Sequence, residues 1–471
     1  MTAPLAVFDL GKTNSKLFVF SPAGEILTEA RTAPQWRHQD GMRVLDDGRL
    51  LAWMNASLAD AVDRHGVEGV MFSAHGCTFA LVDGKGLAHP ILDYEQEVPD
   101  GIAQEIAALL PDFAETYSPR LPLGLNLARH LLWVERAAPG ALAGTRHILG
   151  YPQFWSWRFC GVAVSEISYL GCHSHLWAPL RRDFSSLVDV RGWREKMPAF
   201  ARAGAELGQA EIVLPGGGRR AVAVHNGVHD SSSAFYRYLT AGHRSFTLVS
   251  TGTWVIIFNT DCPLNALDEK RDMLTNVTVD GAPTPTIRFM GGREFDVIRN
   301  GAPPEITGEA LKTVITRKVF ALPSFAVGGP LPETAGEIVG QVGTEAERAA
   351  LALLYVVLMT DYCLDLIGSA NTIIVDGGLV RTGFYAEALA RLRPRQRVLS
   401  SDQPEGSATG AAALAYEAKG VAVRPVACAE VAPLVLPDLT EYRTAWRELV
   451  ERRREREPSA ASRHPAGAGA P

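Results

Sequence analysis

The sequence is poor in cysteine and has no cysteine pair at a metal-binding or redox spacing. Its 471 residues include six cysteines, and no two of them form a Cys-x-x-Cys pair. A structural zinc site needs four well-spaced ligands, and the one local cluster, Cys172 with His173 and His175, has no fourth ligand nearby in the sequence. We therefore expect neither a zinc module nor a disulfide scaffold.

Long apolar runs and an excess of basic charge are also missing. No stretch approaches 18 consecutive apolar residues, and the N-terminal sequence MTAPLAVFDLG has no basic region followed by an apolar one. Both absences predict a cytoplasmic protein without a membrane partner. The formal net charge is −6, and the one dense basic run, residues 447–456, is interleaved with glutamates. A nucleic-acid binder usually carries a basic face, so we expect no nucleic-acid partner.

Length and hydrophobic pattern predict two α/β domains. A chain of 471 residues exceeds one ordinary core, and an apolar run followed by a small-residue turn occurs at residues 5–13 and again at 246–254. This restart indicates two related halves. Strands are predicted at residues 5–8, 17–20, 69–73, 221–224, 246–249, 372–375 and 397–399, and helices at residues 126–133, 345–366, 383–392 and 407–416. Residues 458–471 lack any large apolar side chain, so we expect a disordered tail there.

Three glycine-containing turns each follow a predicted buried strand, at residues 9–13, 250–253 and 376–378. Glycine after a strand lets backbone N–H groups approach phosphate oxygens without a Cβ in the way. Three such turns favour a nucleotide held between domains. The sequence Gly11-Lys12-Thr13 imitates the end of a P-loop, but the upstream glycine position is Ala6, inside the strand. No Gly-x-Gly-x-x-Gly follows the first strand, which argues against a dinucleotide-binding domain.

Asp230 follows the apolar strand at residues 221–224 and precedes a helix of small residues. An acid at a strand end is where α/β sheets present their active sites. Asp is also a common N-cap residue, so the local sequence leaves a catalytic and a capping role open.

In chain order these motifs resemble the FGGY family of carbohydrate kinases, from residue 5 to about residue 420. The matching segments are residues 9–16, 73–76, 227–230, 250–254, 325–330, 376–379 and 405–412. The resemblance implies an α/β protein of two actin-like (ribonuclease H-like, ASKHA) domains with an inter-domain active-site cleft. It implies a sugar-binding domain at residues 1–243, an ATP-binding domain at 244–437, a C-terminal helix at 438–457 and the tail at 458–471.

The resemblance also implies a role for individual residues. Asp230 would be the catalytic base, and Asp9 would hold Mg²⁺ beside the bound ATP. The implied nucleotide contacts are Gly11, Lys12, Thr13, Asn14, Lys16, Thr251, Gly252, Thr253, Gly377, Gly378 and Leu379. The implied sugar contacts are His75, Gly76, Tyr94, His229 and Asp230. For His75 a buried structural histidine remains the alternative.

The expected activity is phosphorylation of a small ketose by ATP. Two departures from the family's pattern bear on the sugar: the segment at residues 92–96 lacks the arginine of the family's Trp–acid–Arg pattern, and residues 151–154 lack an acid that many members have. His229 beside Asp230 is most similar to kinases of 6-deoxy-ketohexoses such as L-rhamnulose or L-fuculose, with Tyr94, Phe79 and Trp155 offering apolar surface for a methyl group. A pentulose or polyol kinase and a non-catalytic ATP-binding sugar sensor remain alternatives. A homodimer is compatible with the resemblance.

Overall fold

The computed structural model of this chain describes residues 3–332, 334–401 and 405–456. The predicted tail, residues 458–471, lies outside the described residues. In chain order the strands, β1 to β23, are Leu5–Leu10, Ser15–Phe20, Ile26–Thr32, Trp36–Gln39, Met42–Leu45, Gly69–Ala74, Phe79–Val82, Leu87–His89, His147–Gly150, Trp177–Ala178, Asp183–Phe184, Glu206–Val213, Arg219–His225, Val228–His229, Phe246–Thr251, Val255–Asn259, Met273–Val277, Pro283–Phe289, Phe320–Leu322, Glu337–Val339, Thr372–Gly377, Val398–Ser400 and Ala429–Glu430. The α-helices, α1 to α15, are Asp47–His65, Asp100–Leu109, Phe113–Thr116, Leu127–Ala137, Pro139–Gly144, Tyr151–Cys160, Ile167–Leu170, Ser186–Val190, Asp230–Thr240, Gly291–Arg299, Gly308–Thr316, Glu345–Leu366, Tyr385–Leu392, Gly406–Ala418 and Leu439–Arg456.

The chain divides into two units, and the division is not linear in sequence. The first unit contains the residues up to His243 together with Leu274–Thr284 and Glu405–Val426. The second contains Arg244–Met273 and, among the described residues, 285–401 and 427–456. The sequence analysis placed all of residues 244–437 in one domain. In the structure helix α14, at Gly406–Ala418, is grouped with the first unit, because its small residues pack on helix α9 and strand β1 of that unit; the family's domain bounds stay a prediction.

The first unit is built on a mixed sheet with apolar side chains on both faces. The strand order is β12-β13-β6-β1-β2-β3, and β14 pairs with the end of β6. Alternate residues of β1 enter different cores: Phe8 packs with residues of α1 and α6, whereas Val7 packs with residues of α14. Successive strand residues point to opposite faces of a sheet. A continuous apolar run such as β1 is therefore the pattern of a strand covered on both sides.

The second unit repeats this topology. Its sheet has the order β17-β18-β16-β15-β21-β22-β23. Strand β15 pairs antiparallel with β16 and parallel with β21, just as β1 pairs antiparallel with β2 and parallel with β6. The restart that the sequence predicts near residue 246 is thus a repeat of the sheet topology.

Helix α12 forms the centre of the second unit's helical layer. In the part of the chain that the structure describes, it is the one helix long and apolar enough to span a membrane, and 89% of its most apolar window is buried inside the protein. That burial is typical of a core helix. Its buried Asp361 forms ion pairs with Arg393 and Arg447.

Helix α14 lies close to helix α9 because Gly410 has no side chain. A Cβ built at Gly410 would collide with the carbonyl group of Ser233, and the Ser233 hydroxyl donates a hydrogen bond to the carbonyl oxygen of Ser407 at 3.0 Å. Helix α9 begins with Asp230. The close contact therefore supports the helix on which the candidate base is placed.

We expect Gly410→Ala to lower the thermal unfolding midpoint by several degrees, because the added methyl group would force the two helices apart. Overpacking of this kind costs about 1–3 kcal/mol. Gly101→Ala is the matched control, since a Cβ at Gly101 in helix α2 meets no atom within 4 Å. Differential scanning calorimetry of both variants checks this, and an unchanged midpoint for Gly410→Ala would contradict the packing.

Candidate active site

Three adjacent parallel strands of the first unit end at the same edge. Asp9 of β1 pairs with Ser73 of β6, and Ser73 pairs on its other side with Val228 of β14. The next residues in the chain after these strands include His75 and Asp230. Ligands of α/β proteins bind at the carboxyl ends of parallel strands, so the register alone brings the predicted metal, sugar and base residues to one edge.

The Asp9 carboxyl group lies in an environment that disfavours its negative charge. Burial and the charge of Asp230 together raise its pKa to about 7, although Lys16 opposes both effects. Lys16 itself donates a hydrogen bond to Glu405 at 2.7 Å. A carboxylate destabilised in this way would be stabilised by a cation. Among the described residues no group of three or more His, Cys, Asp or Glu side chains forms a ready metal cage. The arrangement fits Mg²⁺, which is commonly held by one or two carboxylates, water and phosphate oxygens.

An aromatic pocket lies next to these acids. The His75 ring is 5.1 Å from the Tyr94 ring and 5.0 Å from the Tyr151 ring, measured between centroids. Burial lowers the pKa of His75, while Asp230 opposes this shift. Burial also raises the pKa of Tyr94, and the charge of Asp230 adds to the effect. Asp230 is therefore near enough to act electrostatically on both of these predicted sugar contacts.

Lys12 lies beside this pocket, and other residues of the protein contact its ammonium group there. Lys12 forms an ion pair with the fully buried Asp93, and its Nζ lies 3.8 Å from the Trp36 ring centroid. Arg43 NH1 lies 2.9 Å from the other oxygen of Asp93. The resemblance puts Lys12 among the nucleotide contacts. In the structure its ammonium group pairs with Asp93, and its nucleotide contact stays a prediction.

The sequence analysis did not identify three components of this pocket: Trp36, Arg43 and Tyr151. It included Asp93 only within residues 92–96, a segment that departs from the family's pattern. The family's pattern has an arginine after the position of Tyr94, where this chain has glutamate and glutamine. In the structure a guanidinium reaches Asp93 from Arg43, on strand β5. Trp36 and Arg43 flank an Asp40-Gly41 pair, which was the available sequence signal for a hairpin. Two of the expected apolar contacts are core residues instead: Trp155 is 0% exposed and Phe79 is 5% exposed.

Asp230 begins helix α9 but does not cap it, because the N-cap residue is His229. Its Oδ1 accepts a hydrogen bond from the Ser231 backbone N–H at 2.5 Å. The side chain remains 30% exposed. A carboxylate in the first turn is favoured by the helix dipole, so Asp230 is a partly exposed acid at a helix start, and its catalytic role stays a prediction.

His229 lies under Asp230 and is buried. Its Nε2 is 3.2 Å from Asp230 Oδ1 and 3.3 Å from Cys172 Sγ, and its Nδ1 is 3.2 Å from Ser232 Oγ. Burial lowers the pKa of His229. The backbone of Gly76 runs close by, since a Cβ there would lie 3.2 Å from Nε2. Both ring nitrogens of His229 thus already have protein neighbours. The resemblance implies instead that this ring contacts sugar hydroxyls.

The first turn after β1 is exposed at its tip. The Gly11 N–H donates to the Asn14 carbonyl oxygen at 3.0 Å, which closes the turn. Thr13 and Asn14 are exposed, and the Asn14 amide donates to the Thr13 hydroxyl at 3.3 Å. These polar groups have room for a ligand beside them.

The second unit has a corresponding pair of turns after β15 and β21. Gly252 and Thr253 are exposed, and the Gly252 N–H donates to the Trp254 carbonyl oxygen at 2.9 Å. The Thr251 hydroxyl is buried: it donates to the Asp376 carbonyl oxygen at 2.7 Å and accepts from the Leu379 N–H at 3.1 Å. The hydroxyl thus joins the two turns in this structure, and its contact with phosphate stays a prediction.

Glycine is required where these two turns meet. Gly377 has φ of 95°, a region that L side chains rarely adopt, and a Cβ there would collide with the Thr251 carbonyl oxygen. The neighbouring Gly378 is exposed, and a Cβ there would meet no atom within 4 Å. Gly377 is therefore required by the backbone conformation, whereas Gly378 has free space beside its backbone.

The loop at residues 325–330 is held by two buried carboxylates of the second unit. Glu294 accepts hydrogen bonds from the N–H groups of Phe325 and Ala326 at 2.8 and 3.2 Å. Asp272 accepts from the Gly329 N–H at 3.0 Å and from Arg288 at 3.0 Å. The Arg288 guanidinium lies 4.7 Å from the Trp254 ring centroid. The loop is thereby connected to the turn at Gly252.

Comparison with known proteins assigns the fold. Residues 243–424 match the family model described as carbohydrate kinase FGGY, C-terminal domain. A carbohydrate kinase from Novosphingobium aromaticivorans is 33% identical, with 96% of this chain and 99% of that chain covered and a TM-score of 0.84. A xylulose kinase from Lactobacillus acidophilus is 13% identical, with 97% and 99% covered and a TM-score of 0.77. Glycerol kinase from Plasmodium falciparum, solved with ADP, is 12% identical, with 97% and 98% covered and a TM-score of 0.75. No curated protein matches the sequence.

We expect Gly252→Val to weaken ATP binding much more than sugar binding, because a branched side chain would occupy the space that a phosphate group needs. The folded protein accepts a Cβ there, since the nearest atom would be 3.7 Å away. Gly308→Val is the control, because a Cβ at Gly308 is equally unobstructed. Isothermal titration calorimetry with ATP measures the effect, and an unchanged ATP affinity in a folded Gly252→Val protein would remove this turn from the nucleotide site.

Proposed function

Because this chain belongs to the FGGY family of carbohydrate kinases, with the two actin-like domains of that family, we propose that it transfers the γ-phosphoryl group of ATP to a hydroxyl of a small ketose. The observation that carries the proposal is the partly exposed carboxylate of Asp230. It lies at the strand edge shared with Asp9 and acts electrostatically on the His75–Tyr94 pocket.

In the proposed reaction Asp230 accepts the proton of the attacking sugar hydroxyl. The sugar oxygen then forms a bond to the γ-phosphorus, the bond to the β-phosphate oxygen breaks, and ADP leaves. Phosphoryl transfer depends mainly on positioning and charge stabilisation. His75, Tyr94 and Gly76 would orient the sugar. The backbone groups of Gly11 and Gly252, with Thr13 and Thr253, would bind phosphate oxygens.

Asp9 and Lys16 supply opposite charges at the phosphate side of the proposed site. Asp9 would hold Mg²⁺, directly or through water, and a bound magnesium ion neutralises charge on the phosphates during transfer. Lys16 is positioned by Glu405 and would act on the phosphates as a point charge. Gly377, Gly378 and Leu379 would form the backbone surface against which the adenosine lies.

The proposed substrate is a 6-deoxy-ketohexose of the L-rhamnulose or L-fuculose type, phosphorylated at O1. The rings of Tyr94, Tyr151 and Trp36 give the pocket apolar surface, while Asp93 and Lys12 supply paired charge for sugar hydroxyls. Pentulose and polyol substrates are the alternatives, because the similar solved structures include a xylulose kinase and a glycerol kinase. A non-catalytic sugar sensor of the same fold would bind both ligands without sugar-dependent ADP release.

We expect Asp230→Asn to keep ATP and sugar binding while kcat falls by about 10²–10⁴-fold, the usual cost of removing a general base. Asp100→Asn is the control, because Asp100 is an exposed acid in the first turn of another helix, α2. Steady-state kinetics with a coupled ADP assay gives the comparison. An Asp230→Asn protein that retained more than about half of the wild-type kcat would exclude Asp230 as the base.

The order of substrates tests the finer assignment. We expect kcat/KM to be highest for L-rhamnulose or L-fuculose, and roughly 10–200-fold lower for a hydroxylated analogue, because one methyl contact in an apolar pocket contributes about 1–3 kcal/mol. The panel also contains L-ribulose, D-xylulose, L-xylulose, glycerol and erythritol. A pentulose or polyol leading by about tenfold or more would overturn the 6-deoxy assignment and leave the kinase assignment intact.

A further inference from the structure

Trp254 connects the exposed tip of the turn at residues 250–254 to a buried arginine. Its carbonyl oxygen accepts the Gly252 N–H at 2.9 Å, which closes the turn. Its half-buried ring packs on the Arg288 guanidinium, whose central carbon lies 4.7 Å from the ring centroid. Arg288 pairs with Ile256 across strands β16 and β18, and Trp254, two residues before Ile256, has the diagonal position where side chains of one face meet. The sheet register thus brings the guanidinium to the turn.

Helix α10 supports the other side of the same turn. The Gly292 N–H, in the first turn of this helix, donates to the Thr253 carbonyl oxygen at 3.2 Å. A Cβ built at Gly292 would collide with the Gly252 carbonyl oxygen, so the absence of a side chain there permits the close approach. The turn is therefore held by α10 on one side and through Trp254 on the other.

Asp272 fixes the Arg288 guanidinium, and both side chains are 8% exposed. Arg288 Nε donates to Asp272 Oδ1 at 3.0 Å, and the Gly329 backbone N–H donates to Oδ2 at 3.0 Å. Each oxygen of the carboxylate therefore has its own donor. These contacts join the loop at residues 325–330 to the Trp254 ring through one ion pair.

The Arg288–Asp272 ion pair is suited to fixing geometry more than to stabilising the fold. The NH2 nitrogen of Arg288 is buried and has no acceptor within the described parts of the chain. Taking two charges out of water costs free energy, which an ion pair repays only when its remaining polar groups are also satisfied. We therefore expect the pair to add little to the free energy of unfolding and to determine where the guanidinium lies against Trp254.

We propose that Arg288 and Asp272 are positioning residues of the nucleotide site, which hold Trp254 and so keep the backbone of the turn at residues 250–254 in the orientation that binds ATP phosphates. This inference rests on the proposed kinase function. Both side chains are buried, so they act on the nucleotide through Trp254 and not by touching it.

The kinetic test compares Arg288→Met with Arg288→Lys, using the sugar of the panel that is turned over fastest. Met removes the charge, and we expect the KM for ATP to rise about tenfold, the scale of a desolvated cation–π contact, while the KM for sugar changes less than about twofold. Lys keeps a cation against the ring, so Arg288→Lys should recover most of the loss. Arg299→Met is the matched control, because Arg299 in α10 also pairs with an aspartate through Nε, 2.8 Å from Asp296 Oδ1.

Two double variants distinguish positioning from a structural role. Arg288→Met with Asp272→Asn leaves no unpaired buried charge, so the thermal unfolding midpoint should stay within a few degrees of wild type while the KM for ATP remains high. Asn tolerates the left-handed backbone that Asp272 adopts, with φ of 52°. In a Trp254→Leu background, Arg288→Met should have almost no further effect on the KM for ATP, because it acts through that ring.

An ATP KM that stayed within about twofold of wild type in Arg288→Met would overturn the proposal. So would an equal rise in the KM for sugar, a loss that Arg288→Lys does not recover, or an undiminished effect in the Trp254→Leu background. Should Arg288→Met alone fail to fold, the double variant with Asp272→Asn carries the same comparison with wild type.

Calorimetry with ATP and Mg²⁺ in the absence of sugar gives a measurement that does not depend on turnover. The Kd for ATP should rise about tenfold in Arg288→Met and stay unchanged in Arg299→Met. An unchanged Kd in folded Arg288→Met would contradict the positioning role whether or not the enzyme is active. A protein that showed the expected changes in Kd but no sugar-dependent ADP release would instead refute the proposed function and leave the positioning role in place.

Discussion

The parallel pairing of β1, β6 and β14 is the constraint on which the first unit's site depends. The register sets Asp9 beside Ser73 and Ser73 beside Val228, so that residues separated by more than 200 positions in the chain end at one edge. The pairing is stabilised by apolar burial on both faces of β1, with Phe8 in one core and Val7 in the other. The residues at the edge are therefore held in place by apolar packing on both faces of the sheet.

Charge at this edge is arranged in opposing pairs. Burial and the charge of Asp230 raise the pKa of Asp9 to about 7. Lys16 opposes both effects, whereas Lys12 is paired with Asp93. A site with two acids needs added positive charge when it acts on phosphate. Mg²⁺ is the ion whose preference for carboxylate and water oxygens suits this arrangement.

Much of the fold could be predicted from the sequence, because buried strands and helices have local patterns. Helix α12 has the predicted bounds, residues 345–366, and the restart near residue 246 proved to be a repeated topology. The return of α14 to the first unit could not be predicted, because only the three-dimensional contact of Gly410 with Ser233 decides it. The pairing of Lys12 with Asp93, 81 residues away, could not be predicted from the sequence for the same reason. The surroundings of His229 were hidden as well, since Cys172 reaches it from a distant part of the chain.

The central claim, that the chain phosphorylates a sugar, is tested most directly by ³¹P NMR of its products. The protein is incubated with ATP and Mg²⁺, with each sugar of the panel in turn and without any sugar. The account predicts a new phosphomonoester resonance that grows at the same rate as ADP when an accepted sugar is present, and almost no ADP in its absence. ADP accompanied only by inorganic phosphate, at a rate that no sugar changes, would contradict it.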